Sequence, residues 1–378
     1  MKYKKILITG GAGFIGSALS LRLIAKGYQI NVLDNLSEQV HGKNFEQSHL
    51  YNAIKDKVNF IHGTVTSKPD WIKALQGCDA VIHLAAETGT GQSMYKIYDY
   101  VQVNIGGTAL LLDILTNDKH NVKKLIVASS RAIYGEGKYY SKEKGYVYPV
   151  SRENKVMIRG NFEPTYYGCN SLQLVATDEE SKIHPTSVYG ITKQNQEQMV
   201  MTVCEALGIA ATAFRYQNVY GPGQSLSNPY TGILSIFSSL IKLGKEINIF
   251  EDGNESRDFI YLSDVVAATI LGLEKEEANG QVFNVGSGVA TTVLEVANTL
   301  CKNYGKKVPL NITGNFRLGD IRHNYADITR VSSMLGFEPL VQFDEGIKQF
   351  TIWVNKQEVI ATSYEKSLDE MRSKGLLK

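Results

Sequence analysis

No stretch of this sequence reaches the roughly 18 consecutive apolar residues that a membrane-spanning helix needs. The N-terminal run Met1-Lys2-Tyr3-Lys4-Lys5 enters the first apolar segment with no signal core and no small-residue cleavage site. No charge of one sign accumulates either. Forty basic residues stand against 38 acidic ones, a formal net charge of +2, without a long run of either sign. That balance gives no reason to expect a nucleic-acid or membrane surface, and small-molecule chemistry is the expectation by default. Cysteine is scarce: Cys78, Cys169, Cys204 and Cys301 lie far apart with no CxxC pair, which fits a reduced, cytoplasmic compartment. Internal repeats and low-complexity tails are missing too.

What is present is a glycine turn in a telling context. Thr9-Gly10-Gly11-Ala12-Gly13-Phe14-Ile15-Gly16-Ser17 follows the apolar run Ile6-Leu7-Ile8 and leads into the amphipathic run Ala18-Leu19-Leu21-Leu23-Ile24. Strand, glycine turn and helix together make a dinucleotide cradle, in which the backbone approaches the pyrophosphate and the helix N-terminus faces its charge. A second strand over 28–33 ends at Asp34, at the distance where an acidic residue meets the adenosine ribose. A carboxylate there would repel a 2′-phosphate, so NAD is expected over NADP. An ordinary Gly-rich β–α turn and a solvated turn aspartate, flanked by Asn35 and Ser37, are the alternatives.

The alternation continues. Strands are expected at 58–61, 80–84 and 124–128, the last ending at Ser129-Ser130, with a helix around Trp71-Ile72-Leu75 and a long one over 95–115. Between 135 and 183 the pattern breaks into tyrosines, charges, glycines and prolines, the mark of an inserted excursion. Helical spacing returns over 187–207, a strand follows at 210–215, and shorter elements fill the rest, including 245–250 and a helix over 263–273. For 378 residues this predicts an α/β protein: a doubly wound parallel sheet over 1–215, with an excursion at about 136–183, and a smaller C-terminal α/β substrate lobe over 216–378 that returns short segments to the first domain.

Tyr189-Gly190-Ile191-Thr192-Lys193 carries the chemistry. On a helix, i and i+4 put phenol and ammonium on one face, where the cation stabilises a phenolate and lowers the tyrosine pKa. Alone, the pair also describes a packed aromatic beside a solvated lysine. Behind a dinucleotide cradle and a strand ending in Ser129-Ser130, it describes a base.

These motifs, with His83-Leu84-Ala85-Ala86, Asn104-Ile105-Gly106-Gly107-Thr108, Ser129-Ser130-Arg131-Ala132-Ile133-Tyr134-Gly135, Arg215-Tyr216-Gln217-Asn218-Val219-Tyr220-Gly221-Pro222 and Arg257-Asp258-Phe259-Ile260-Tyr261, resemble those of the extended short-chain dehydrogenases that modify nucleotide sugars, from residue 3 to about 350. The resemblance implies NAD held by Gly10, Gly13, Phe14, Ile15, Gly16, Asp34, Asn35, Leu84, Ala85, Ala86, Asn104, Tyr189 and Lys193. It implies that Ser130, Tyr189 and Lys193 are catalytic, with Ser130 steadying the reacting sugar oxygen. By the same analogy Asn218, Arg257, Arg317 and Asp320 hold the diphosphate and nucleoside, and Arg131 also faces the substrate. A surface salt bridge is the alternative for each arginine, more so for Arg322.

Departures from the pattern narrow the reaction. The 4,6-dehydratases carry an Asp-Glu pair directly after the catalytic hydroxyl residue; this chain has Arg131 and Ala132, so elimination loses its acid–base apparatus. Thr64 stands where relatives have an aspartate that meets adenine. Only Cys169 remains where relatives carry paired cysteines, so no metal is expected. The loops 86–95 and 223–232 resemble the branch that epimerises thymidine-diphosphate deoxyhexoses at C4, L-rhamnose to 6-deoxy-L-talose, and make Thr88, Thr90 and Gln92 candidate sugar contacts, although simple loop residues would look the same. The expected activity is NAD-dependent 4-epimerisation through a 4-keto sugar. A 4-ketoreductase, a C2 epimerase, a decarboxylase, a 4,6-dehydratase and a non-catalytic dinucleotide-binding regulator remain alternatives. The resemblance also implies a homodimer built from the 95–115 and 187–207 helices.

Overall fold

A computed structural model of the chain describes residues 2–226, 228, 230, 232–358 and 364–378. Seven strands form the central sheet: β1 (Lys5–Thr9), β2 (Gln29–Asp34), β3 (Asn59–His62), β4 (Ala80–His83), β5 (Lys124–Ser130), β6 (Ala210–Tyr216) and β7 (Gln281–Val285). Their order is β3-β2-β1-β4-β5-β6-β7 and every pairing is parallel. The order reverses beside β1, and the crevice at such a reversal is where α/β sheets bind ligands.

Among the helices of the described residues are α1 (Phe14–Ala25), α2 (Lys68–Ala74), α3 (Gly107–Asn117), α4 (Val188–Leu207), α5 (Ile233–Lys242), α6 (Leu262–Glu274), α7 (Val293–Tyr304), α8 (Phe343–Asn355) and α9 (Tyr364–Ser373). Both faces of the sheet are covered, which is why its strands read as unbroken apolar runs. Ile6 and Ile8 of β1 point into one core with Leu19 and Leu23 of α1 and Val265 of α6. Leu7, between them, points into the other with Trp71, Leu111, Leu115 and Val200. A third core, around Ile241, Ile247, Phe259, Val296, Leu300 and Phe350, holds the second lobe together.

The doubly wound parallel sheet is as expected. The helix expected over 95–115 runs from Ile97 to Asn117, with a π-helical segment at Val101–Gly106. The second half is more regular than its pattern suggests, because α5, α7 and α8 are helices of 10, 12 and 13 residues. The strand β7, five residues long, is not among the strands expected from the sequence. Between 135 and 183 lie three short antiparallel strands, Tyr139–Ser141, Gly145–Val147 and Gln173–Leu174. This excursion is pinned to the second lobe by ion pairs on buried arginines. Arg152 donates from Nε to Glu136 at 3.0 Å and from Nη1 to Glu251 at 2.8 Å, while Glu163 accepts from Arg322 at 2.8 Å.

Candidate active site

Parallel register brings the strand ends to one edge: Thr9 pairs with Leu33 and His83, Asp34 with His62, and Ser130 with Tyr216. The glycine turn opens there. Gly10 has φ +66°, a left-handed conformation in which a side chain is strained, and its N–H donates to Leu33 O at 2.9 Å. A Cβ on Gly16 would lie 2.6 Å from Gly11 Cα, so the turn can close only on glycine. Asp34, buried at the end of β2, accepts from Ala12 N at 2.9 Å on one oxygen and from Leu36 N at 2.8 Å on the other. Each oxygen keeps a lone pair for a ligand hydroxyl. Burial pushes its carboxyl up, against these two backbone donors. His41 Nε2 stands 3.9 Å from it.

A cavity of about 590 Å³ runs from this turn, past the end of β5, into the second lobe. Midway along it stand Ser130, Tyr189 and Lys193. Ser187 caps α4, accepting from Gly190 N at 3.2 Å, which starts the helix one residue before Tyr189. Gly190 lets that first turn approach the β5 exit: a Cβ there would meet Ala132 O at 2.6 Å and Pro185 Cβ at 2.8 Å. Ser130 Oγ accepts from Ala132 N at 3.1 Å and lies on the Tyr189 side of the cavity, where its hydroxyl favours the phenolate. Burial pushes the Tyr189 phenol up, and the Ser130 hydroxyl and the Arg131 guanidinium oppose it. Lys193 donates to Ala128 O at 2.9 Å, and burial pushes its ammonium down to about 7. The Arg131 guanidinium stands near the phenol, held by its Nε–H to Asn218 Oδ1 at 2.9 Å.

Beyond the sugar-sized centre the wall turns basic. Arg257 and Arg317 each donate from Nη2 to Asp320 at 3.0 Å, one to each carboxylate oxygen. The two arginines hold Asp320 well below the usual carboxylate range despite its burial. Arg317 also lies over the Phe250 ring, 5.3 Å from its centroid. Fixed guanidinium forks beside an aromatic face suit a diphosphate joined to a base.

Comparison with known proteins agrees with this layout. The chain matches the NAD dependent epimerase/dehydratase family over residues 6–153 and 165–286. It is 37% identical over 356 residues to a dTDP-L-rhamnose 4-epimerase of Burkholderia thailandensis, covering 94% of this chain and 96% of that one. The chain belongs to the NAD-dependent epimerase/dehydratase family. Among solved structures, UDP-glucose 4-epimerase of Thermotoga maritima with UDP-glucose is 30% identical, with TM-score 0.75 over 93% of this chain and 99% of that one. UDP-glucuronic acid 4-epimerase of Bacillus cereus, in complex with UDP-glucuronic acid and NAD, is 26% identical with TM-score 0.75 over the same shares, 93% and 99%.

Within that family frame, the expected residues divide. Gly10, Gly13, Phe14, Ile15, Gly16, Asp34, Asn35, Leu84, Ala85, Ala86, Thr88, Thr90, Arg131, Asn218, Arg257, Arg317 and Asp320 all line the cavity with the central three. Asn104 and Gln92 do not. Asn104 is fully buried behind the wall, exchanging bonds with Glu87 N and O at 2.8 and 3.1 Å and donating to Thr192 at 2.9 Å. Its bonds set the 86–95 loop against α4 and leave nothing to face a ligand. Gln92 is likewise spent on Gln39 and the Tyr100 hydroxyl. His83, for all its place in a motif, bonds Thr9 at 2.7 Å and Thr108 at 3.0 Å, and burial pushes it down to about 3; it ties strands to a helix. Arg322 is no surface salt bridge: it is 1% exposed among Glu163, Glu251 and Asp252. Thr64 lines the cavity, its hydroxyl 2.9 Å from that of Thr66.

Sequence reasoning missed Phe250, Glu255, Tyr230 and Tyr364, all on the wall. Phe250, an aromatic at the end of a short strand pattern, offered a signal. Tyr364, on the last helix, offered none. Glu255 is buried with its Oε2 accepting no hydrogen bond, 3.8 Å from Arg322, and burial pushes its carboxyl up to about 7. Among the described residues no helix is long and apolar enough to cross a membrane.

Proposed function

We propose that this protein inverts C4 of a nucleotide-linked hexose through a transient 4-keto sugar, and that the sugar is a 6-deoxyhexose on thymidine diphosphate: dTDP-L-rhamnose in, dTDP-6-deoxy-L-talose out. The observation that carries the reading is one cavity in which Ser130, Tyr189 and Lys193 stand between the Asp34 turn and the Arg257–Asp320–Arg317 cluster. A cofactor end and a nucleotide-sugar end thus meet at a base. The turn closes only on glycine and Asp34 keeps free lone pairs, so these residues fit NAD, which when bound supplies a reversible hydride acceptor at the centre.

The chain's own residues do the rest. Gly10, Gly13, Phe14, Ile15 and Gly16 pack the pyrophosphate, and Asp34 with Asn35 takes the adenosine ribose. Leu84, Ala85 and Ala86 line the way to the nicotinamide. Tyr189 removes the C4 hydroxyl proton, with Ser130 holding the oxygen as it passes from alcohol to carbonyl. Arg131, and Lys193 when protonated, stabilise the phenolate. Thr88 and Thr90 face the sugar, and Asn218, Arg257, Arg317 and Asp320 anchor the diphosphate and nucleoside. With Arg131 and Ala132 after Ser130, the site has no carboxylate pair there for dehydration. The 37% identity to a dTDP-L-rhamnose 4-epimerase supports the choice of sugar.

The test is incubation with a panel of thymidine-, uridine-, guanosine- and cytidine-diphosphate sugars, without added cofactor. Inversion of dTDP-L-rhamnose at C4 with no net reduction is expected. Stoichiometric consumption of added NADH, with no inversion in its absence, would replace the epimerase by a ketoreductase. We also propose a homodimer through the Ile97–Asn117 and α4 helices, where Ile97, Tyr98 and Ile191 are exposed; a monomer in sedimentation would overturn that.

A further inference from the structure

Two phenols far apart in the chain meet: the Tyr95 and Tyr230 hydroxyls stand 2.6 Å apart. The last helix closes this junction. Glu370 of α9 accepts from Tyr230 at 3.0 Å on Oε2, which lies 3.2 Å from the Tyr95 hydroxyl. Next to it, buried Met371 brings its sulfur to 3.3 Å from where a Cβ on Gly91 would lie. On the inner side, Tyr230 lines the cavity with Thr88, Gly89 and Thr90. That wall is set against the reacting phenol by Tyr100, which donates to Thr88 O at 2.5 Å and Gly89 O at 3.0 Å and lies edge-on to Tyr189 with ring centroids 6.4 Å apart. A run of contacts therefore joins the reaction centre to an exposed carboxylate on α9.

An enzyme that oxidises its sugar and then reduces the opposite face must keep the ketone while it turns. If the 4-keto sugar leaves early, the hydride taken from C4 stays on the cofactor and the hydroxyl proton passes through Tyr189 to solvent. One reduced NAD and one free 4-keto nucleotide sugar result, with no other reactant. A wall that prevents escape must still open for entry and exit. Hydrogen bonds at an exposed rim suit that work, being individually weak, while a relay from the Tyr95 hydroxyl to Tyr230 and from Tyr230 to the Glu370 carboxylate orders both phenols.

We propose that Tyr230 is a wall residue that retains the 4-keto sugar, and that Glu370 and Tyr95 are the positioning residues that hold it in place. The inference rests on the epimerase reading above. Its test uses the full-length protein with Glu370→Ala, Glu370→Gln, Tyr230→Phe, the Glu370→Ala/Tyr230→Phe pair and, as a control on the exposed side of the same helix, Asp369→Ala. Each is given the panel sugar that the unchanged enzyme inverts. Reduced cofactor is followed by its near-ultraviolet absorbance and free 4-keto sugar by mass spectrometry. Glu370→Ala and Tyr230→Phe should each raise reduced cofactor per turnover about three- to tenfold. The pair should leak no more than either alone, Glu370→Gln, which keeps an acceptor, less, and Asp369→Ala no more than the unchanged enzyme. Unchanged leakage in Glu370→Ala, or an equal rise in Asp369→Ala, would overturn the inference and leave the epimerase standing. No inversion of any sugar by the unchanged enzyme would overturn both.

Discussion

Replacing Gly190 by alanine sets two effects against each other at the point where α4 meets the end of β5. Alanine is the better helix former, by about 1 kcal/mol in a helix interior. The added methyl carbon, however, would sit 2.6 Å from Ala132 O and 2.8 Å from Pro185 Cβ. A carbon–oxygen contact settles at about 3.3 Å or more, so the helix start and the 130–132 turn must separate by roughly 0.7 Å. Neither neighbour is the end of a flexible side chain, and overpacking of this kind costs about 1–3 kcal/mol. The clash therefore outweighs the propensity gain. More telling is what moves: Tyr189 and Lys193 ride on α4 while Ser130 and Arg131 ride on the turn, so the displacement carries the phenol away from Ser130 and Arg131. Misplacement on the order of 1 Å costs about a hundredfold in rate, and about 30-fold is expected here. Steady-state kinetics on the inverted sugar, with NAD affinity measured by calorimetry, separates the two ends of the cavity. Turnover should fall while NAD binding at the distant Asp34 end stays within about twofold. Near-normal turnover in Gly190→Ala would refute the claim that this approach sets the base.

Lys193 makes the stability of the cofactor-free protein depend on pH. Its ammonium is pushed from 10.5 down to about 7 by burial, so the unfolded chain carries that proton over a range where the folded one does not, and stability rises with pH between these values. Lys193→Met should raise the melting temperature at pH 6, with at most about 5 kcal/mol at stake, and change it little near pH 10; an equal effect at both, by calorimetry, would contradict the burial argument. Asp34→Ala removes the acceptor of Ala12 and Leu36 N–H together with the charge that repels a 2′-phosphate. NAD should bind about tenfold or more weakly and its advantage over NADP should shrink, as read by titration with both. Arg322→Met removes one of the two cations on buried Glu251, Arg152 remaining, together with the partner of half-exposed Asp252, and should cost about 1–3 kcal/mol by chemical denaturation. Preserved stability would show that the hub is dispensable.

How much of this was legible in the chain follows from how local each feature is. The glycine turn, Asp34 and the Tyr189–Lys193 spacing each depend on a few neighbouring residues, and their identities alone imply cradle, acceptor and base. The excursion at 135–183 announced itself by a loss of period, yet nothing in it disclosed that Arg152 would reach Glu136 and Glu251. Asn104 and Gln92 show the opposite failure: residues of the right type in the right motif, turned away from the cavity because loop hydrogen bonds consume them. His83 is the same lesson in a buried polar chain.

By itself, then, the sequence determined the order of the main strands and helices in its first half, and it placed the glycine turn, Asp34 and the phenol–amine pair on which the proposed site rests, because each follows from spacing along one strand, turn or helix. Only the tertiary structure decided which cation stands beside that phenol, which aromatic and acidic residues close the far wall, and that the last helix reaches back to the first loop after β4. Those are contacts between residues far apart in the chain: Glu370 lies 275 positions from Tyr95 and 140 from Tyr230. No periodicity spans such separations, since they are set by how whole layers pack.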